Sequence, residues 1–428
     1  MSDVAFLVYL PMKERRADNS FDGNTNIGAF VIADALTRSG ISVEYCSPET
    51  AHKFRVVLVS MTSTLDAFAF YRAVALLPIW QREKRPFTVI AGGFGMQNPI
   101  PVRNFIDFAA FGRAHEWVSS ICDCVLGGGV PSHPSVMNLP DIAPVVISQS
   151  ESLYPHEVNG RKEAFTGCPL KCKFCHYSWA RRPVGCGDSY VQNMTTGQTP
   201  ELTWHGMMKV GHKMGRVRVA IDGFSQRLRY AYGKRISNAD IVAGVEHAGS
   251  FEGTTVLLIY NICNMPTETH VDREELYDTF KKCKPKNRVV CVLQHTPFRP
   301  SPATPMQWEP AALFPDWSKL REGVICETES LRVVHSWTLE TPYSHLISLV
   351  AERATIDSDK LFHAIVFSPA LKKGLSAARL ATAQKHFDIS QYVREYNIDE
   401  PPPTWWLQSY TPTNVLQSIA HKMRRGAA

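Results

Sequence analysis

The chain reads as an α/β protein: an N-terminal doubly wound parallel sheet, a second α/β series, and a C-terminal helical extension. Two observations predict this. Short apolar runs alternate with amphipathic helical stretches over the first 130 or so residues, and the same alternation restarts near residue 161. A third fixes the class. The 428 residues are 44% hydrophobic and 20% charged, ordinary for a globular chain of two or three domains and unlike a disordered one.

In the first part, strands are predicted over 4–10, 43–46, 56–60, 88–91 and 108–111. Helices are predicted over 27–39, stopped by Gly40, and over 67–80. The order is flavodoxin-like, and such sheets take ligands at the carboxyl ends of their strands. Met61, Thr62, Ser63 and Thr64 fall at one such end, and Gly92, Gly93 and Phe94 at another. Residues 131–160 lose periodicity, carry several prolines and read as a linker.

The second series, 161–345, has expected strands over 162–166, 217–222, 255–262, 288–294 and 331–337. The extension, 346–428, has expected helices over 357–367, 376–387 and 412–425. Trp405 and Trp406 follow three prolines and are expected to pin the tail to the body.

No uncharged apolar run reaches the roughly 20 residues of a membrane span. The start, Met1-Ser2-Asp3-Val4, has no basic region, which argues against a signal peptide. Eleven cysteines scattered over a large chain suit a reducing, cytoplasmic interior better than a disulfide scaffold. The net charge of +6 permits an anionic substrate without demanding one.

The sharpest signal is Gly167-Cys168-Pro169-Leu170-Lys171-Cys172-Lys173-Phe174-Cys175. Thiolates are soft ligands that suit iron–sulfur clusters or zinc. Three thiols on one tight loop can hold three irons of a 4Fe–4S cube and leave the fourth iron open. Structural zinc wants a fourth ligand. His176 adjoins Cys175, poor geometry for sharing an ion, and Cys186 has no cysteine partner nearby. Cys122 and Cys124 flank Asp123 in an expected helix and point to different faces. His295 and His345 read as core residues rather than ligands.

The spacing of Cys168, Cys172 and Cys175, with Phe174 before the third, resembles the CxxxCxxC loop of the radical S-adenosylmethionine (radical SAM) superfamily. Three further segments resemble the family. They are Asp222-Gly223-Phe224-Ser225-Gln226-Arg227-Leu228-Arg229, Tyr260 to Thr269, and Thr296-Pro297-Phe298 with Thr304-Pro305-Met306-Gln307-Trp308. Asn264 stands where glycine is usual, and the short Gly-Gly-Glu segment that holds the methionine amino group is not evident. Gly92-Gly93 and Gly112-Arg113-Ala114-His115-Glu116 resemble cobalamin-binding domains joined to such barrels, without the D-x-H-x-x-G motif that supplies a histidine to cobalt.

The resemblance implies a partial (βα) radical SAM barrel over 161–345 behind a cobalamin-binding-like domain over 1–130. It implies a 4Fe–4S cluster on Cys168, Cys172 and Cys175, with S-adenosylmethionine chelated at the open iron and cleaved by one electron to methionine and a 5′-deoxyadenosyl radical. Asp222, Ser225, Arg227, Tyr260, Pro266 and Gln294 become candidates for S-adenosylmethionine or substrate. Met61, Thr62, Ser63, Thr64, Gly92, Gly93 and Phe94 become candidates for cobalamin.

The expected reaction modifies an unactivated carbon of a small molecule, by methyl transfer if cobalamin is held and by rearrangement or ring formation if not. The electron would come from a flavodoxin- or ferredoxin-like partner. Two other readings stay open. Basic residues interleaved with aromatics (Arg181, Arg182, Lys209, Lys213, Arg216, Arg218, Arg227, Arg229, Lys234, Arg235 and the Lys422–Arg425 end; Tyr177, Trp179, Tyr230, Tyr232, Trp405, Trp406) would suit a modifier of nucleic acid or nucleotides. A cluster-bearing scaffold or electron carrier would not need polar segments after each strand.

Overall fold

The computed structural model describes residues 3–9, 27–158, 163, 166–185, 202–312, 323–336, 342–367 and 387–426. The chain forms two compact units, each built on its own sheet. One comprises residues 1–160, 340–393 and 399–414, the other 161–339, 394–398 and 415–428.

The first unit opens with β1 (Val4–Leu7), α1 (Ile27–Arg38), β2 (Val43–Cys46), β3 (Val56–Ser60), α2 (Thr64–Val74), β4 (Thr88–Gly92) and β5 (Phe108–Ala110). After α3 (Val118–Leu126) come β6 (Val136–Asn138) and β7 (Val145–Val146). The sheet order is β2-β1-β3-β4-β5-β6, parallel throughout except for β6. This is the expected doubly wound order with an antiparallel edge strand added. Val56, Val57, Leu58 and Val59 are all buried, as strands covered on both faces require.

Two boundaries differ from expectation for local reasons. α2 begins at Thr64 rather than 67, because the Asp66 carboxylate accepts the Thr62 and Ser63 N–H groups at 2.6 and 3.0 Å and closes the first turn. It ends at Val74 rather than 80, ahead of Pro78, which opens a separate 3₁₀ turn.

The segment expected as a linker supplies β6 and β7. The extension does not form a unit of its own: its helices Pro342–Arg353 and Asp359–Phe367 belong to the first unit. So does the strand Leu407–Gln408, which pairs with β7, and Trp406 before it is buried against Phe111 at 5.7 Å. Trp405 is exposed. The last helix, Thr413–Gly426, lies mainly in the second unit, and the helix expected over 376–387 falls outside the described residues.

The second unit contains α4 (His176–Ala180), α5 (Trp204–Met208), β8 (Arg216–Ala220), α6 (Gln226–Ala231), α7 (Asn238–Ala248), β9 (Thr255–Cys263), α8 (His270–Lys281), β10 (Val289–Pro297), β11 (Val324–Glu327) and β12 (Leu331–Ser336). Its sheet is open, ordered β11-β12-β10-β9-β8, with β11 alone antiparallel, and no closed barrel forms among the described residues. Of the strand expected over 162–166, residues 163 and 166 are described: Glu163 is in no strand and Thr166 forms an isolated bridge to Val184.

Period-two alternation sorts the two faces of this sheet. Val217, Val219, Leu257, Ile259, Val289, Cys291, Leu293 and Val333 pack in one core with Trp204, Ile241, Val245, Leu276 and Phe280 from α5, α7 and α8. The opposite face is the half-buried one, and it carries Tyr260 and Gln294.

Candidate functional site

The cysteine loop is fixed from both sides. Gly167 stands at φ +68°, and a Cβ there would lie 2.5 Å from the Arg182 carbonyl oxygen. Glycine is therefore required immediately before the first cysteine. The Trp179 indole N–H donates to the Cys172 carbonyl at 2.9 Å. The Lys171 ammonium donates to the Ser178 carbonyl at 2.7 Å and lies over the Trp179 ring. From the other side, the Lys173 N–H donates to the Tyr232 carbonyl at 2.8 Å and its ammonium to the Ala231 carbonyl at 2.6 Å. Phe174 packs on Leu228, Tyr232, Met265, Phe298 and Met306, alongside Ile262. The loop thus sits at the carboxyl end of the strands.

Cys168 and Cys172 are buried and Cys175 half-buried. Burial pushes the Cys172 thiol up to about 12 and raises that of Cys175. No three His, Cys, Asp or Glu side chains among the described residues converge as one metal ion would require. His176 is buried, its Nδ1–H donates to the Pro302 carbonyl at 2.7 Å, and burial lowers it to about 4. Cys186 lies outside the described residues.

The strand-end candidates separate into two groups. Tyr260 and Gln294 are register partners on β9 and β10, flanked at the same level by Ala220 of β8 and Ser336 of β12. They stand side by side on the half-buried face. One level toward the amino ends is Arg218, opposite Leu258, with its Nε buried and no hydrogen-bond partner. Arg218 was read in the sequence only as part of a basic stretch. Alternation along β8 is the signal that places it on the face of Tyr260 and Gln294.

Ser225 and Arg227, expected to meet a polar ligand, are engaged by Asp272. Ser225 is fully buried, caps α6, and donates its hydroxyl to Asp272 Oδ1. Arg227 reaches Asp272 Oδ2 at 2.8 Å and the Thr267 carbonyl at 3.0 Å, with half its side chain exposed. Burial alone would raise the Asp272 carboxyl, but hydrogen bonds from Ser225, Arg227 and Thr269 outweigh it and hold it below its usual range. The Pro266 carbonyl accepts the Tyr232 hydroxyl. Asn264, where a glycine is usual, takes φ +55°, a left-handed conformation that asparagine tolerates. Glu268 is tied to Arg273 at 2.8 Å.

Asp222, at φ +50°, pairs with Lys234 at 2.6 Å. Burial works against the Lys234 charge, but Asp222 and the Cys172 and Cys175 sulfurs outweigh it and raise the ammonium above its usual range. Spacing alone does not reveal this pair.

In the first unit, the β3 and β4 ends interlock. Met61 is fully buried and its N–H donates to the Gly92 carbonyl at 2.8 Å. A Cβ on Gly93 would stand 2.3 Å from the Met61 carbonyl oxygen, so packing between the two loops already explains that glycine. Thr62 and Ser63 are half-buried on Asp66, and the Thr64 hydroxyl reaches Glu352 at 3.5 Å. Phe94 is 41% exposed.

The basic residues do not remain a free set. Arg229 is fully buried, donating to the Gly223, Phe224 and Ile236 carbonyls and to Asn238, and burial lowers it to about 10. Arg424 is paired with Glu309 and Glu395. His295 is a core residue as expected, stacked on Phe224 and bonded to His335 at 2.9 Å, and His345 is likewise buried.

No family model matches the chain, and no curated protein matches it. Among solved structures, it is similar to a cobalamin-dependent S-adenosylmethionine radical enzyme, OxsB. With aqua-cobalamin bound, that structure gives a TM-score of 0.31 at 10% identity over 99% of this chain and 56% of that one. With aqua-cobalamin and S-adenosylmethionine, the values are 0.32 and 10% over 98% and 66%. The selenomethionine-labelled apo form gives 0.31 and 10% over 87% and 56%. The chain therefore spans less than two thirds of the length of these proteins.

Proposed function

We propose that this chain is a radical SAM enzyme acting on an unactivated carbon of a small molecule. The observation that carries the reading is the Cys168–Cys172–Cys175 loop, held in place at the carboxyl end of an open parallel sheet. The donors are three thiols on one loop. The chemistry a 4Fe–4S cluster supplies there is one-electron cleavage of S-adenosylmethionine to methionine and a 5′-deoxyadenosyl radical, the electron coming from an external flavodoxin- or ferredoxin-like reductant.

This chain's own part is positioning. Tyr260, Gln294 and Ser336 offer a phenol, an amide and a hydroxyl on one face, and Arg218 adds a cation beneath them. Carbon and aromatic side chains around Phe174 keep water from the loop's flank. The first unit is read as the cobalamin-holding part, with Thr62, Ser63 and Phe94 the accessible strand-end candidates. Methyl transfer follows if it holds cobalamin, and a rearrangement or ring closure if it does not.

The test is anaerobic reconstitution with iron and sulfide, then incubation with S-adenosylmethionine and dithionite. The expected result is 5′-deoxyadenosine by chromatography, absent from Cys172→Ala. No cluster in the parent chain, or no product above that control, overturns the reading. An absorption spectrum with added cobalamin decides the first unit's role. Steeply salt-dependent RNA or DNA binding would replace the small molecule with nucleic acid.

A further inference from the structure

The turn that follows α6 docks on the cysteine loop, and it delivers a charged pair there. The Tyr232 carbonyl takes the Lys173 N–H at 2.8 Å. Gly233, at φ +83°, comes so close that a Cβ would stand 3.0 Å from the Lys171 oxygen and 3.5 Å from the Cys172 Cα. The next residue is Lys234. Its N–H is held by the Arg229 carbonyl at 2.7 Å, and Arg229 is itself fully buried. The Lys234 ammonium meets Asp222 at 2.6 Å, the two side chains only 11% and 14% exposed.

A pair this enclosed is an inefficient way to stabilise a fold, because desolvating both charges offsets most of their attraction. It is an effective way to set a local potential, because little water remains to screen it. Cluster potentials respond to nearby charge and to solvent exposure.

We propose that Lys234 and Asp222 are positioning residues that set the reduction potential of the cluster on Cys168, Cys172 and Cys175, with opposite signs. This rests on the reading of the cysteine loop given above. Reduction adds one electron, and so one negative charge, to the cluster. The Lys234 ammonium favours that state, and the Asp222 carboxylate opposes it and keeps the lysine aimed.

The experiment uses the full chain, reconstituted anaerobically and titrated with dithionite. Iron content and the electron paramagnetic resonance signal of the reduced cluster are read at each potential. Lys234→Met is expected to lower the midpoint and Asp222→Asn to raise it, each by about tenfold in the one-electron equilibrium, which is about 59 mV. The double variant returns toward the parent, and Lys234→Arg stays near it. A structural role alone gives no such opposition of sign. Shifts in the same direction, or none, overturn the proposal. Loss of the cluster from all variants also overturns it, and makes the pair a clamp on the loop. If Lys234→Met alone fails to load iron, Lys234→Gln and Asp222→Asn carry the sign test. A parent chain that loads no cluster defeats the reading of the loop itself, an outcome distinct from equal midpoints in loaded proteins.

Discussion

Replacing Gly167 with alanine should disable the cysteine loop without removing a ligand. Gly167 and Gly215 lie in the same unit at nearly the same left-handed angle, φ +68° and +62°. An added Cβ at Gly215 meets nothing within 4 Å, whereas at Gly167 it meets the Arg182 oxygen at 2.5 Å, the Arg182 carbonyl carbon at 2.8 Å and the Pro183 nitrogen at 2.9 Å. Gly215→Ala therefore carries the conformational cost alone, about 1–2 kcal/mol. Gly167→Ala adds an overlap with backbone that cannot swing aside, worth about a further 1–3 kcal/mol. Urea unfolding of both variants beside the parent measures the difference, and iron per chain after reconstitution measures the consequence. Gly167→Ala should lose clearly more stability than Gly215→Ala and load less iron, while Gly215→Ala loads as the parent does. Equal stability and equal iron in the two variants would refute the claim that close packing against 182–183 shapes the loop.

Asp272→Asn should destabilise the chain by roughly 1–3 kcal/mol at neutral pH, since a buried acceptor of several hydrogen bonds loses its charge. Asp272 is held below its usual range in the fold, so its contribution is present above about pH 3.9 and disappears as pH falls through the lower folded value. The gap between parent and variant should close in acid, and a gap constant from pH 7 to pH 2 would refute this. Burial lowers His335 to about 4 and takes His295 well below its usual range, so the unfolded chain takes up protons first. Stability should fall as pH drops below about 6.5 toward 4, and His335→Gln should flatten part of that slope. Identical slopes in parent and variant would count against a neutral, buried His335.

The front sheet was legible because its central strands are continuous apolar runs, the pattern of strands buried on both faces. Its edge was not. β6 is three residues long and β7 two, too short to show any period, and both lie in a proline-bearing stretch that reads as a linker. β11 was missed for the same reason: four residues, none fully buried, on the outside of the second sheet. The ends of α2 were misplaced because they depend on a cap and a proline rather than on periodicity. The tail could not be apportioned at all, since pairing Leu407–Gln408 with Val145–Val146 spans more than 250 residues of sequence and leaves no local trace.

The site divides along the same line. Three thiols within eight residues announce themselves, because a multidentate loop must be local. A strand-end segment bearing Ser225 and Arg227 is harder. A ligand-binding loop and a loop that caps a neighbouring helix need the same polar groups, so residue type does not distinguish them. What decides is Asp272, 47 residues from Ser225 and in the first turn of α8, where unsatisfied N–H groups draw a carboxylate. With that carboxylate buried beside the loop, Ser225 and Arg227 turn toward it. The same reasoning brings Asp222 and Lys234 forward. They are twelve residues apart with α6 between them, and only the turn at Gly233 returns the lysine to the strand end. A motif's spacing can therefore mark where a site lies while leaving open which of its polar residues face inward. The Asp222–Lys234 ion pair at the strand end is completed by a residue the motif does not contain.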